Sequence, residues 1–260
     1  MKNSSLFYLL IVVCFAGCAE PYYFLSPLNS TSQTYHAIPL RSDSVRSAIY
    51  ANGNVTIGGA NQGGRDNIYS FDGNISRSHN LGCFQAYYGV GLTVGNYLIQ
   101  QNSQTDITIP PTDNFYGALG FNGAINLVIP LGNRGSEWRI IGIETSLQNE
   151  FGNYLKLRRS LSDSTNSLIE TSNWTTTLGG YSEIIWKLKN DNQVGYKIGC
   201  GTALEHGGIY GYATHANPIY LQNTFHLTRK NVTGFVQVDA GTYTGSVQFG
   251  VNYRIRKKKM

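Results

Sequence analysis

The sequence predicts an all-β chain, an antiparallel up-and-down transmembrane β-barrel of about ten strands, with eight as the alternative count. Three observations predict it: a composition rich in turn formers and poor in charge, long stretches that alternate apolar and polar residues, and connections that alternate between long and short.

The chain of 260 residues holds 30 Gly and 18 Tyr but only 13% charged residues. Soluble domains carry about 25% charged residues, so something other than water faces much of this surface. The formal net charge is +5.

The alternation fixes the faces. Between 84 and 94, Phe84, Ala86, Tyr88, Val90, Leu92 and Val94 fall on one side, while Gln85, Tyr87, Gly89, Gly91 and Thr93 fall on the other. Between 115 and 129, Phe115, Leu119, Phe121, Ile125, Leu127 and Ile129 oppose Tyr116, Asn122, Ala124 and Asn126. The next stretches set Ile141, Ile143 and Leu147 against Glu144, Ser146, Gln148 and Glu150, and Trp174, Leu178, Ile184 and Trp186 against Thr175, Thr177, Tyr181 and Glu183. The last sets Val247, Phe249, Val251, Tyr253 and Ile255 against Gln248, Gly250, Asn252 and Arg254. A half-buried strand of a soluble sandwich alternates in the same way. Length separates the two cases: these runs reach about ten residues or more, which suits a tilted membrane-crossing strand, whereas soluble strands average about five or six.

Strands are expected at 45–58, 67–77, 81–97, 115–130, 138–151, 173–189, 193–205, 218–229, 232–240 and 246–255. After the first, third, fifth and seventh come the longer links, of which 152–172, with Lys156, Arg158 and Arg159, is an expected extracellular loop; short turns lie between them. Long loops at one end and short turns at the other characterise outer-membrane barrels, with the turns periplasmic. The short link near 241–245 breaks this rule. An even strand number puts both barrel ends in the periplasm.

At the N-terminus, Lys2 and the apolar run 6–16 have the layout of a secretory signal. The run is too short to span, since a transmembrane helix needs about 20 apolar residues. Phe15-Ala16-Gly17-Cys18 resembles a bacterial lipobox. That resemblance implies removal of 1–17, a covalent diacylglycerol and a further acyl chain such as palmitate on Cys18, and anchoring in the inner leaflet. The alternative is an ordinary signal cleaved after Ala19. Residues 18–44 read as lipid anchor and tether, with "EPYYF" at the interface or in an unstructured linker; 45–255 read as the barrel and 256–260 as a basic tail.

Taken together, "CAEPYYFLSP", "AIPLRSDSVRSAIY", the alternating strands and the final "GVNYRI" resemble the small outer-membrane β-barrel proteins of Gram-negative bacteria, in a lipoprotein form similar to uncharacterised Bacteroidota lipoproteins. The resemblance implies a location in the bacterial outer membrane, with outer-membrane lipid as the partner and no nucleic acid.

Motifs for chemistry are sparse. His206 and His215 share a Gly-rich link with Glu205, but that spacing fixes no metal geometry and is read as a polar loop. No signature selects a Ser-His-acid triad. The expectation is therefore no cofactor, no metal and no enzyme activity. The inward parity is more informative. Arg46, Asp72, Glu144, Glu150, Glu183, Lys197, Asp239 and Arg254 all fall on it. Buried charges must be paired and hydrogen-bonded, and barrels of about eight to ten strands leave room mainly for side chains. These residues are expected to form a plugging polar network, which favours a structural or envelope-interaction role over a narrow channel for small solutes, with a rim-active lipid-modifying hydrolase third. By parity Cys83 points inward and Cys200 outward, so no disulfide should join them.

Overall fold

The structure, a computed structural model, describes residues 23–31, 33–43, 46–61, 66–100, 112–132, 135–161, 168–204, 209–210 and 217–255. Ten strands form a closed antiparallel barrel: β2 (Ser47–Ala60), β3 (Asp66–Asn80), β4 (Phe84–Ile99), β5 (Thr112–Leu131), β6 (Ser136–Gly152), β8 (Trp174–Lys187), β9 (Gln193–Leu204), β11 (Ile219–Arg229), β12 (Val232–Gly241) and β13 (Thr244–Ile255). The first and last of these zip together from Ile49↔Ile255 to Ala60↔Thr244, so the sheet has no free edge.

The expected fold class holds, and one face of each strand is apolar and exposed, as a lipid-facing wall requires. Leu92, Phe121, Ile141, Ile143, Leu178, Ile198, Leu221, Val238 and Val251 all stand exposed on the outside. Aromatic side chains flank this band: Phe115, Phe151 and Trp174 towards one end, and Phe84, Trp186, Tyr196 and Tyr253 towards the other. There an apolar ring body and a polar edge suit the membrane boundary. Many glycines lie beside aromatic rings that cross the inner face. A Cβ on Gly142, Gly201 or Gly250 would collide with Tyr181, Tyr220 or Phe235 respectively.

At the loop end, β1 (Tyr23–Phe24), β7 (Leu168–Glu170) and β10 (Ile209–Tyr210) make a small sheet, β1 parallel and β10 antiparallel to β7. Two short α-helices, α1 (Leu28–Thr31) and α2 (Asn153–Ser160), and a single 3-10 turn at Lys189–Asp191 complete the described fold. Gly152 turns β6 into α2 at φ 121°, a conformation a side chain resists, and a Cβ there would lie 2.6 Å from the Phe115 carbonyl oxygen.

Three expectations need correction. Of the segment 18–44 read as a tether, residues 23–31 and 33–40 are instead buried inside the barrel. Its "YYF" stretch contributes Tyr23 and Phe24 to the loop-end sheet, away from any interfacial position. Cys83 sits exposed in the turn before β4, because the strand begins at Phe84, one residue too late for inward parity to apply. Cys200 is exposed on β9, and both cysteines are free.

Candidate functional site in the barrel lumen

The site is the lumen and its occupant. From Gln33 to Leu40 the chain has no regular secondary structure, and the wall reaches its backbone carbonyls with side-chain donors from several strands. Gln222 and Gln237 donate to the Gln33 carbonyl at 3.1 and 2.7 Å. Asn52 and Asn252 donate to that of Tyr35 at 2.9 and 3.3 Å. Ser78 takes Ala37, Arg139 takes Ile38, Gln85 takes Pro39 and Asn80 takes Leu40, all between 2.9 and 3.1 Å. Backbone outside helices and sheets carries one acceptor and, except at Pro39, one donor per residue that no strand partner satisfies here, and leaving such groups buried and unpaired costs about 1–3 kcal/mol each. Asn and Gln at inward positions meet that need because their amides both donate and accept.

The occupant runs in one direction. At the loop end, the Tyr23 N–H donates to Asn61, which donates to Asp66, which also accepts from Tyr97. Ser30 bonds Thr244 beside the β12–β13 turn. At the turn end, the Arg41 N–H donates to Glu137 at 2.7 Å, and Ser42 reaches the Gly135 carbonyl in the β5–β6 turn. Asp43 lies 3.8 Å from Arg254 on β13. Residues 23–31 and 33–43 therefore descend the lumen from the loop end to the turn end before β2 begins. At the turn end a cavity of about 530 Å³ remains, bordered by Asp43, Lys187, Lys230 and Arg254.

Two apolar clusters seal the polar middle. Phe24, Leu28, Ile68, Tyr97, Tyr116, Tyr154 and Ile169 pack at the loop end, with Leu157 and Leu161 of the adjoining segment against them. Tyr35, Ala37, Ala48, Tyr50 and Phe235 pack towards the turn end.

Buried ion pairs are grouped in three places. Arg139, fully buried, donates to Glu183 at 2.6 Å, Glu137 at 3.1 Å and Gln85 at 2.7 Å as well as to the Ile38 carbonyl. His226 lies 2.8 Å from the other Glu183 oxygen and stacks on Tyr35 of the occupant at 4.4 Å. Lys197 bonds Glu144 at 2.5 Å and sits over the Tyr181 ring. Arg158 of α2 bonds Glu150 at 2.6 Å and approaches Glu170 at 3.5 Å. Burial disfavours the Arg158 charge, but the Glu150 and Glu170 carboxylates outweigh it and hold its pKa above the ordinary value. Asp239 has amide partners instead, accepting from Gln222, Gln237 and Gln248.

Of the residues expected inside, Glu144, Glu150, Glu183, Lys197 and Asp239 are buried on the inner face, and Asp72 is half-buried there, accepting from Thr56 and Thr93. Arg254 is half-buried at the turn end. Arg46 is a correction: it is exposed and precedes β2, so strand parity does not govern it. Sequence reasoning missed Arg139 and Glu137. An extra residue at Ile140 and Ile141 interrupts the β6 pairing on both sides, which moves odd positions from outward to inward below the bulge. It also missed Arg158 and Glu170, which lie in a connection read as solvated, and His36 and His226. Alternation in 222, 224 and 226 could have placed His226 inside; nothing periodic marks His36. Cys18, Glu205, His206, His215 and the tail 256–260 lie outside the described residues. Among the described residues no group of three or more His, Cys, Asp or Glu could hold a metal ion.

No protein-family model and no curated protein matches the chain. Its solved structural neighbours are outer-membrane barrels. It is similar to the β-domain of the Bordetella autotransporter BrkA, at 12% identity over 82% of this chain and 100% of that one, TM-score 0.46. It is similar to the translocator domain of the autotransporter NalP from Neisseria meningitidis, at 10% identity over 81% and 89%, TM-score 0.43. It is also similar to an outer membrane channel from Pseudomonas putida F1, at 11% identity over 85% and 98%, TM-score 0.38.

Proposed function

We propose that this chain is a lipid-anchored barrel of the bacterial outer membrane whose lumen is closed by its own N-terminal segment, and that its role is structural or one of envelope interaction. Cys18 carries the covalent diacylglycerol and outer-membrane lipid is the partner; nucleic acid, cofactor and catalysis have no part. The observation that supports this most strongly is the run of wall amides on the carbonyls of Gln33, Tyr35, Pro39 and Leu40. A solute path needs free polar surface, and here the luminal segment occupies much of it. The test is single-channel recording of the full chain in planar bilayers. No steady conductance is expected, and stepwise, long-lived openings would refute the reading in favour of a small-solute channel. Turnover of labelled phospholipid or lipopolysaccharide by the same preparation would refute the non-enzymatic assignment.

A further inference from the structure

The direction of the luminal segment decides on which side of the membrane the chain starts. Tyr23 and Phe24 pair with Leu168 and Ile169, inside the long connection between β6 and β8. The Tyr23 N–H bonds Asn61 just beyond the end of β2, and Tyr23 packs edge-on to Tyr243 in the β12–β13 turn at 4.6 Å. All three anchor points belong to the loop end. The following residues descend to Arg41 and Ser42, which bond Glu137 and Gly135 at the turn end. An up-and-down barrel that starts and ends on its turn side would ordinarily leave its N-terminus on that side as well. Here the segment before the first barrel strand crosses the membrane once more, within the lumen.

Five residue steps separate Cys18 from Tyr23, and a fully extended chain covers at most about 3.6 Å per residue, so the two lie within about 18 Å. The hydrocarbon core is about 30 Å thick. A Cys18 tethered to Tyr23 at the loop end cannot reach the leaflet at the turn end. The lumen offers no return path, because Gln33, Tyr35 and His36 are buried in it against the wall.

We propose that the acylated start of the mature chain lies on the loop side of the outer membrane, with its acyl chains in the outward-facing leaflet. This rests on the reading of Cys18 as the lipidated residue and replaces the inner-leaflet position that an external tether would give. The anchor then displays a lipid at the cell surface beside the loop-end cap of Phe24, Leu28, Tyr154 and Ile169.

The test uses the full chain without Cys83 and Cys200 and carries either Glu20→Cys or, in the β8–β9 turn, Asn190→Cys, so that the stretch from Cys18 to Tyr23 keeps its length; each is probed with a membrane-impermeant maleimide and with alkyne fatty-acid labelling. The expected result is acyl label on Cys18, equal maleimide labelling of E20C on intact and permeabilised cells, and labelling of N190C only after permeabilisation. Acyl label together with an E20C thiol hidden until permeabilisation overturns the placement and leaves lipidation standing. A surface-labelled E20C without acyl label overturns the lipid half, and the lipidation reading with it. As an independent measure, S30C with T244C in a chain lacking Cys83 and Cys200 should form a disulfide in cells, seen as faster migration without reductant. Its absence from the folded barrel would remove the luminal path on which the placement depends.

Discussion

The two faces of the barrel wall use the same strands and obey different rules. On the outside Phe121, Leu119 and Ile141 are 66, 59 and 60% exposed, and lipid asks of them only that they be apolar. On the inside Gln237, Gln248 and Arg139 are 0% exposed, and each is held by named partners at hydrogen-bond distance. Neighbours one residue apart, such as Gln237 and Val238, fall under opposite rules. Outward positions should therefore tolerate any apolar residue, whereas inward ones should respond to the loss of single atoms.

The largest effect should come from removing the occupant. Deleting 23–43 strips partners from Gln222, Gln237, Asn52, Gln85, Asn80 and Arg139 together and dissolves both apolar clusters. The denaturant midpoint of the detergent-folded barrel should fall further than for any single substitution below, and its compact unboiled gel form should weaken or vanish. An unchanged midpoint would mean that the inner face does not need its partners. Next is Arg139→Met, which leaves Glu137 and Glu183 buried without their cation. Breaking a buried pair on one side costs about 3–5 kcal/mol, so equilibrium unfolding should show a loss of that order. The outside is tested by Phe121→Arg, expected to cost about 2–4 kcal/mol near mid-depth in a bilayer-based folding assay; its tolerance would argue that this band does not face lipid. The smallest and sharpest contrast is Gln237→Ala against Val238→Ala. The first removes donors to Gln33 and Asp239 and should cost about 1–3 kcal/mol, while the second should stay within about 0.5 kcal/mol. Equal costs would erase the distinction between the faces.

The same contrast explains what could be read beforehand. The outer face was legible because lipid imposes a binary requirement, and Phe84, Tyr88, Val90 and Leu92 meet it at every second position. Strand number and order followed. The inner charges Glu144, Glu183 and Lys197 were reachable by counting from those outward residues, but Arg139 was not, since the bulge beside it resets the count. Arg158 looked like a solvent cation of a loop because its partners Glu150 and Glu170 flank it only after α2 folds back. The luminal segment was illegible for a different reason. Much of its recognition passes through its carbonyls, which every sequence possesses, so residues such as Ala37, Ile38 and Pro39 show no pattern that declares a buried site. The signal lay in the wall, in the inward amides Asn52, Gln85, Gln222, Gln237, Gln248 and Asn252.

The seam between β13 and β2 acquires a meaning for biogenesis. Asp43, where the described luminal segment ends, lies close in sequence to Ser47, where one edge of that seam begins, so the two must be delivered together. Once the seam is zipped, late insertion would drag the chain's start past Arg139, His226 and Lys197. An acylated start would have to pass hydrocarbon through that polar passage, against about 0.8 kcal/mol for each methylene withdrawn from lipid. The workable order is to lay the thread first and close the wall around it. Ser30 with Thr244, and Gln33 with Gln237, bind the luminal segment to the last two strands, so the closing strands also lock the thread in.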